Sequence, residues 1–402
     1  MRREPIRRDA AALLRHNWRE GQRRGIPYAF ACPGTPRYRH QWYWDSCFHA
    51  IANRHFDPAR SRAELRTLLR ADDGNGLIPH TVFWDAWPRW RRAPFYATRR
   101  PFRNLATEST QTPVLALAWE LVANGSPDDP GFRGESLDEL QRHYDWLADQ
   151  RDIDGDGLIS IILPDESGLD DSPKYDAVYG RFAHYSPGYF WLVERSRRLG
   201  YDLRAIADRY REHVEDVLVN VLYAMSLRSL SRLTGQGIYE RRAIAVERAL
   251  LERSYDERSG LFFDLAGPDE RPLRVSTWSS LAPLALRDLP DDVRRRLVEE
   301  HLLNRRRYAA PTGIPSVALE QPSFNPGFDL WRCWRGPSWV ASAWLLVPPL
   351  RELGYTHEAD RIVGSLVDAI RREGFREYYN PISGRGLGTR GFGMAALIAD
   401  LV

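Results

Sequence analysis

AIADRYREHVEDVLVNVLYAMSLRSLSRLTG, residues 205–235, repeats apolar side chains at intervals of three and four. That is the period of a helix with one buried face, and it predicts a helix across the whole run. The same period covers Ser61–Arg70, Thr112–Asn124, Leu137–Asp149, Gly188–Leu199, Glu240–Ser254, Asp291–Leu303, Ser338–Leu353 and His357–Arg372. Strand-type alternation is confined to short candidates, best at Leu158–Ile162 and Leu261–Leu265.

Between the helices one kind of turn recurs. Acidic residues lead into Gly-Leu in Asp72–Leu77, Asp152–Leu158 and Asp256–Leu261, and Asn380–Leu387 keeps the turn chemistry without the acids. Asp and Asn cap turns through their side chains and Gly supplies positive φ. Each unit therefore reads as helix, tight turn, short extended loop, next helix. Units repeated at intervals of roughly 80–120 residues suggest stacked helix pairs. Closed into a ring, such pairs make an all-α, α/α toroid with long loops and a few short strands. No stretch reads as a linker, so residues 1–402 are expected to form one catalytic domain. An ordinary helical domain with Gly-terminated helices would carry the same pattern.

Composition narrows the class. The 402 residues hold 57 basic and 54 acidic groups, a net charge of +3, which makes no general case for nucleic-acid binding. A hydrophobic fraction of 43% supports a sizeable core and excludes wholesale disorder. No stretch approaches the ~20 apolar residues of a membrane span, and no apolar run follows the charged start MRREPIRR. Cys32, Cys47 and Cys333 are odd in number and widely spaced, which argues against a disulfide framework or a zinc site. A cytoplasmic location, with no membrane partner, fits best. The oligomeric state stays open, a homo-oligomer included. Lys174 is the sole lysine, and the 14 tryptophans are the unusual feature.

Three acids stand in unusual company. Asp45 lies among aromatics in Gln41-Trp42-Tyr43-Trp44-Asp45-Ser46-Cys47-Phe48-His49. Asp170 lies in the Gly/Pro-bounded loop 165–173, and Glu377 precedes Tyr378-Tyr379-Asn380-Pro381. Desolvation in such settings raises a carboxyl pKa, as a proton donor near neutrality needs. Singly, each reads more readily as a helix cap or turn acid. Together they are framed by Tyr38, Trp42, Trp44, Trp84, Trp87, Trp90, Trp331, Trp334 and Trp339, outside the core helical spacing, whereas Trp119, Trp146 and Trp344 read as core. Sugar rings have apolar C–H faces, so aromatic walls around opposed acids suit glycoside chemistry.

These segments also carry a resemblance. Ser167–Pro173, Gln41–His49, Glu108–Pro113, Trp334–Trp339 and Glu377–Pro381, in that combination, are similar to glycoside hydrolase family sixty-three. Within that family they most resemble the bacterial mannosylglycerate and glucosylglycerate hydrolases. The resemblance covers nearly the whole chain. It implies a six-hairpin (α/α)6 barrel, an inverting mechanism and no cofactor or metal. By the same resemblance, Asp170 matches the general acid and Glu377 the general base. Tyr38, Trp42, Trp44, Asp45, Gln111, Trp334 and Trp339 match the sugar-binding rim; Tyr378, beside Glu377, is taken with them. An inverting pair stands roughly 6.5–9.5 Å apart, leaving room for the attacking water. Asp171 either raises the pKa of its neighbour Asp170 or turns outward.

The expected partner is a small-molecule glycoside. The stretch Trp87–Pro101 is rich in Arg, Pro and aromatics and reads as a long loop, either a solvated basic surface or a lid that pairs an anionic aglycone such as glycerate. Arg335 is a further candidate for that anion. Asp152–Gly157 begins like an EF-hand calcium loop, but Leu163 stands where the closing Glu belongs, so it reads as an Asx-rich turn. His80 reads as a hydrogen-bonded loop histidine. No zinc-protease, nucleophile-elbow, P-loop or dinucleotide motif is present. Rival readings are a trehalase- or glucosidase-like hydrolase of neutral disaccharides, a sugar epimerase or lyase on a similar toroid, and a non-catalytic sugar-binding protein. The lyase class usually works through His or Tyr, and no paired His constellation occurs.

Overall fold

A computed structural model describes residues 3–72, 74–84, 97–98, 105–181, 187–327 and 333–402. The described chain is mostly helical with a few short strands. No helix in it is long and apolar enough to cross a membrane.

Six segments pack in a cycle. Tyr43–Asn53 lies on Leu115–Asn124, which lies on Val217–Thr234; that helix contacts the 3-10 segment Trp278–Ala285, which contacts Val340–Glu352. The 3-10 turn Gly393–Leu397 touches both Val340–Glu352 and Tyr43–Asn53, which closes the cycle. These segments are deeply buried; in Tyr43–Asn53 every residue is. A second set backs the first. Pro58–Leu69 packs on Tyr43–Asn53, Gly237–Ala249 on Val217–Thr234, Thr356–Glu373 on Val340–Glu352, and Arg3–Asn17 on Gly393–Leu397. Thr356–Glu373 has the pattern of a backing helix, burying Ala359, Ile362, Val363, Leu366 and Ile370 along one face.

The run 205–235 is two helices, not one. Leu203–Tyr210 ends where Arg211 turns left-handed at φ 54°. Val214–Glu215 then forms a strand, paired with Ser160–Ile161 on one side and Leu265–Ala266 on the other. Val217–Thr234 begins at Asp216, whose carboxylate accepts the Val219 N–H at 3.0 Å. Strand pairing on both edges and a strong N-cap override the helical period of residues 211–216. The Leu158–Ile162 candidate supplies Ser160–Ile161 to this sheet, whereas Leu261–Leu265 divides: Leu265 joins it and Leu261–Phe262 pairs separately with Tyr255–Asp256.

The other helices appear where their period places them, to within a few residues. The recurring turns also form as expected. Asp72 Oδ1 accepts the Gly74 and Gly76 amides, both at 3.0 Å, and Asn380 Oδ1 accepts those of Ile382 and Ser383. Sequence periodicity left unread the Arg3–Asn17 helix, the Trp18–Arg23/Ile26–Ala31 hairpin, the Tyr43–Asn53 helix and the Arg376–Tyr379/Gly386–Arg390 hairpin.

Candidate active site

Glu377 sits on the first strand of the Arg376–Tyr379/Gly386–Arg390 hairpin. The ladder shifts register between Arg376 and Tyr378, an irregularity that re-aims the side chain between them. The Glu377 carboxylate is 5% exposed. Its Oε1 accepts the Tyr38 hydroxyl at 2.9 Å and its Oε2 accepts the Thr389 amide at 2.8 Å. Two donors thus fix the carboxylate's orientation and leave about half of its lone-pair positions for other donors.

Asp170 lines the same cavity from the loop after the 3-10 turn Pro164–Ser167. Gly168 makes that loop possible. Its φ is +75°, and a Cβ there would lie 2.5 Å from Cζ2 of Trp44, so the backbone closes directly on the indole. Ser167 Oγ donates to the Pro164 carbonyl at 2.7 Å and accepts the Leu169 amide at 3.0 Å. Beyond the loop, Lys174 is buried, with Nζ 2.5 Å from Asp216, 3.0 Å from Asp264 and 3.0 Å from Ser279 Oγ. The sole lysine is thereby an anchor between the acid's loop and the start of the Val217–Thr234 helix.

Asp45 joins these acids in the cavity from the first turn of Tyr43–Asn53. Burial pushes its carboxyl up to about 6; His49 and His80 pull it down, and Asp170 and Glu377 raise it. Gln111 Oε1 accepts the Trp44 amide at 3.0 Å. Trp334 and Trp339 stack at 4.0 Å with their planes 7° apart, and Tyr38 meets Trp42 edge-on at 5.6 Å.

One cavity gathers Tyr38, Trp42, Trp44, Asp45, Gln111, Asp170, Trp334, Trp339 and Glu377, together with Pro33, His80, Gly168, Cys333, Phe392 and Met394. Two expected binding residues are not in its lining. Tyr378 packs against Trp339, ring to ring at 5.1 Å. Arg335 is committed to carboxylates: its guanidinium donates to Asp176 at 2.6 and 2.9 Å and to Asp171 at 3.4 Å. Asp171, pushed up to about 7 mainly by burial and held down by Arg335, therefore faces this arginine. Trp84 is also displaced from the site. It stacks on Tyr28 at 5.5 Å in a separate small core with Phe30, Cys32 and Val82. Trp119 and Trp344 are buried as expected, and Trp146 is half-buried. Trp87, Trp90, Trp331 and all of the 87–101 loop except residues 97 and 98 lie outside the described residues.

His80, which the sequence reads as a hydrogen-bonded loop residue with ligand contact as the alternative, lines the cavity. Its Nδ1 lies 3.4 Å from Asp165 Oδ2, which accepts the Tyr189 hydroxyl at 2.7 Å. The chemistry on offer is three acids, Asp45, Asp170 and Glu377, in one cavity with aromatic side chains in its lining.

A family model described as the mannosylglycerate hydrolase MGH1-like glycoside hydrolase domain matches residues 38–394. The chain belongs to this family. The MGH1-like match spans every cavity residue except Pro33. The chain is 30% identical over 406 residues to the mannosylglycerate hydrolase of Thermus thermophilus, covering 92% of this chain and 96% of that one. It is 28% identical over 405 residues to the glucosylglycerate hydrolase of Mycolicibacterium hassiacum, covering 88% and 89%. Among solved structures it is similar to a GH63 mannosylglycerate hydrolase from Thermus thermophilus in complex with Tris and D-glycerate, with a TM-score of 0.84, 28% identity and 99% of both chains covered. This MGH1-like chain is accordingly a glycoside hydrolase.

Proposed function

We propose that the protein hydrolyses the α-glycosidic bond of mannosylglycerate or glucosylglycerate, releasing hexose and glycerate with inversion at the anomeric carbon. The observation that carries this reading is the placing of Asp170 and Glu377 in one aromatic-lined cavity. The relatives that share most of its length supply the substrate class.

In the proposed reaction, protonated Asp170 gives its proton to the glycosidic oxygen as the bond to glycerate breaks. Glu377, held by Tyr38 and Thr389, accepts a proton from water attacking the opposite face. Asp45 takes sugar hydroxyls as an acceptor beside His80, and Trp334 and Trp339 face the ring. The glycerate carboxylate calls for a cation. The arginines of the 87–101 stretch, which lie outside the described residues, are the candidates that the sequence offers for that role. The cycle of six segments and its backing helices are read as a single (α/α)6 barrel formed by the whole chain.

Incubation of the purified protein with mannosylglycerate, glucosylglycerate, trehalose and kojibiose, with detection of free hexose, tests the proposal. Release from one or both glycerate conjugates, exceeding that from the neutral disaccharides, is expected. Preferential release from trehalose or kojibiose would move the assignment to the neutral-disaccharide class.

A further inference from the structure

Asp171 follows Asp170 directly in the chain, and its side chain is only 2% exposed. Its Oδ1 accepts Nε–H and Nη2–H of Arg335, both at 3.4 Å, while its Oδ2 is buried with no hydrogen-bond partner among the described residues. The closer contacts of the guanidinium go to a second acid. Arg335 forks onto Asp176 at 2.6 and 2.9 Å, where the short Asp176–Tyr179 helix starts. Charge-assisted bonds of that length are strong, and those at 3.4 Å are marginal. Asp171 is thus only partly compensated when it is ionised.

Arg335 is itself held in place. Its carbonyl accepts the Asn325 amide at 2.7 Å, and the Gly336 amide donates to Ser316 Oγ at 2.9 Å. A Cβ at Gly336 would lie 2.7 Å from the Asn325 carbonyl, so this segment is closed against a second stretch of backbone. Its other neighbour, Trp334, lines the cavity. Lys174, between Asp171 and Asp176 in sequence, is pinned to Asp216 and Asp264. Charges therefore fix the chain just after Asp170 at three positions, two of them on one guanidinium that belongs to the aromatic wall. Asp45, His80, Tyr189 and Cys333 also interact electrostatically with Asp170. Asp171 is the one of this group that adjoins Asp170 in the chain, and Arg335 is its cation.

We propose that Arg335 and Asp171 are positioning residues for Asp170: Arg335 holds the acid's loop to the Trp334 wall and, by bonding Asp171, draws the negative charge of the two neighbouring acids onto Asp171 and leaves their proton on Asp170. This rests on the reading of Asp170 as the general acid. A negative charge beside a carboxyl group disfavours a second ionisation, so the neighbours titrate as a pair. Burial pushes Asp171 up to about 7 against the pull of Arg335, and Asp170 adds to the rise. The pair accordingly keeps one proton up to about neutrality, and the placing of Arg335 decides which acid carries it. A guanidinium suits both tasks, since its planar fork serves two carboxylates at fixed angles.

The test is the pH dependence of kcat/KM for hexose release from mannosylglycerate, or from glucosylglycerate if that is the better substrate, by the full-length protein and its variants. The alkaline limb of that profile reports Asp170 losing its proton. Asp171→Asn keeps the size of the side chain and removes the neighbouring charge. It should move the alkaline limb to lower pH by about one pH unit, with KM near pH 6 changed by less than about twofold. Arg335→Gln should lower kcat by about 10²-fold, and Arg335→Lys by less, because it keeps the charge. Should Arg335→Gln fail to fold, the limb of Asp171→Asn decides. Asp170→Asn is the reference. An unmoved limb in Asp171→Asn while Asp170→Asn is inactive overturns this inference alone, as does wild-type kcat in a folded Arg335→Gln. Turnover by Asp170→Asn overturns the general-acid reading and this inference with it.

Discussion

Asp45 is a cavity acid whose titration is governed by burial. Its carboxyl, pushed up to about 6 chiefly by burial, holds a proton more tightly in the folded chain than in the unfolded one. For an acid raised in this way the sign is fixed. The folded state carries a cost above about pH 6, and that cost vanishes where both states are protonated, below the ordinary carboxyl range. Asp45→Asn should therefore stabilise the fold at pH 8 by up to about 3 kcal/mol, raising the Tm there and changing it little near pH 4, while weakening sugar binding. Thermal melts at the two pH values check the sign. At the reacting bond, Asp170→Asn and Glu377→Gln should each lower kcat by about 10²–10⁴-fold with an unchanged circular dichroism spectrum. Near-native turnover in either variant removes that residue from its role. Most of the cavity's side chains were legible as acids in aromatic company. Arg335 and Tyr378 do not line the cavity with their sequence neighbours: Tyr378 packs against Trp339, and Arg335 meets Asp176 and Asp171.

At the scale of elements, a loop and its anchor decide where the acid stands. Gly168 lies against Trp44 at positive φ, so Gly168→Ala must push either the loop or the indole away. A loss of activity much greater than the loss of stability is expected, read as kcat/KM against Tm. Lys174→Met leaves Asp216 and Asp264 buried without their cation. It should destabilise the protein by about 3–5 kcal/mol, measured by denaturant unfolding. The turns that punctuate the helices were readable because their chemistry is local: Asp or Asn accepting nearby amides, with Gly at positive φ. Tyr43–Asn53 carries polar residues at helical spacing, Asp45, His49 and Asn53, but all of its residues are buried, so that stripe faces the protein interior and not solvent. The break within residues 205–235 was hidden for a different reason. Its cause is pairing with Ser160–Ile161 and Leu265–Ala266, residues about fifty positions away on either side.

For the whole molecule, the cycle of six packed segments with its backing layer gives one extended core, into which residues from Ile6 to Val402 are packed. If the chain is the single unit proposed, calorimetric and spectroscopic melts should coincide in one cooperative transition. Two resolved transitions would divide it. The ring also explains how acids more than two hundred residues apart in sequence reach one cavity, an arrangement that no local pattern encodes. The most direct measurement of the central claim is proton NMR of the hexose released from α-mannosylglycerate in the first minutes of reaction. The account predicts β-mannose first, equilibrating later with the α-anomer. Initial α-mannose would contradict the assignment of Asp170 and Glu377 as an inverting pair.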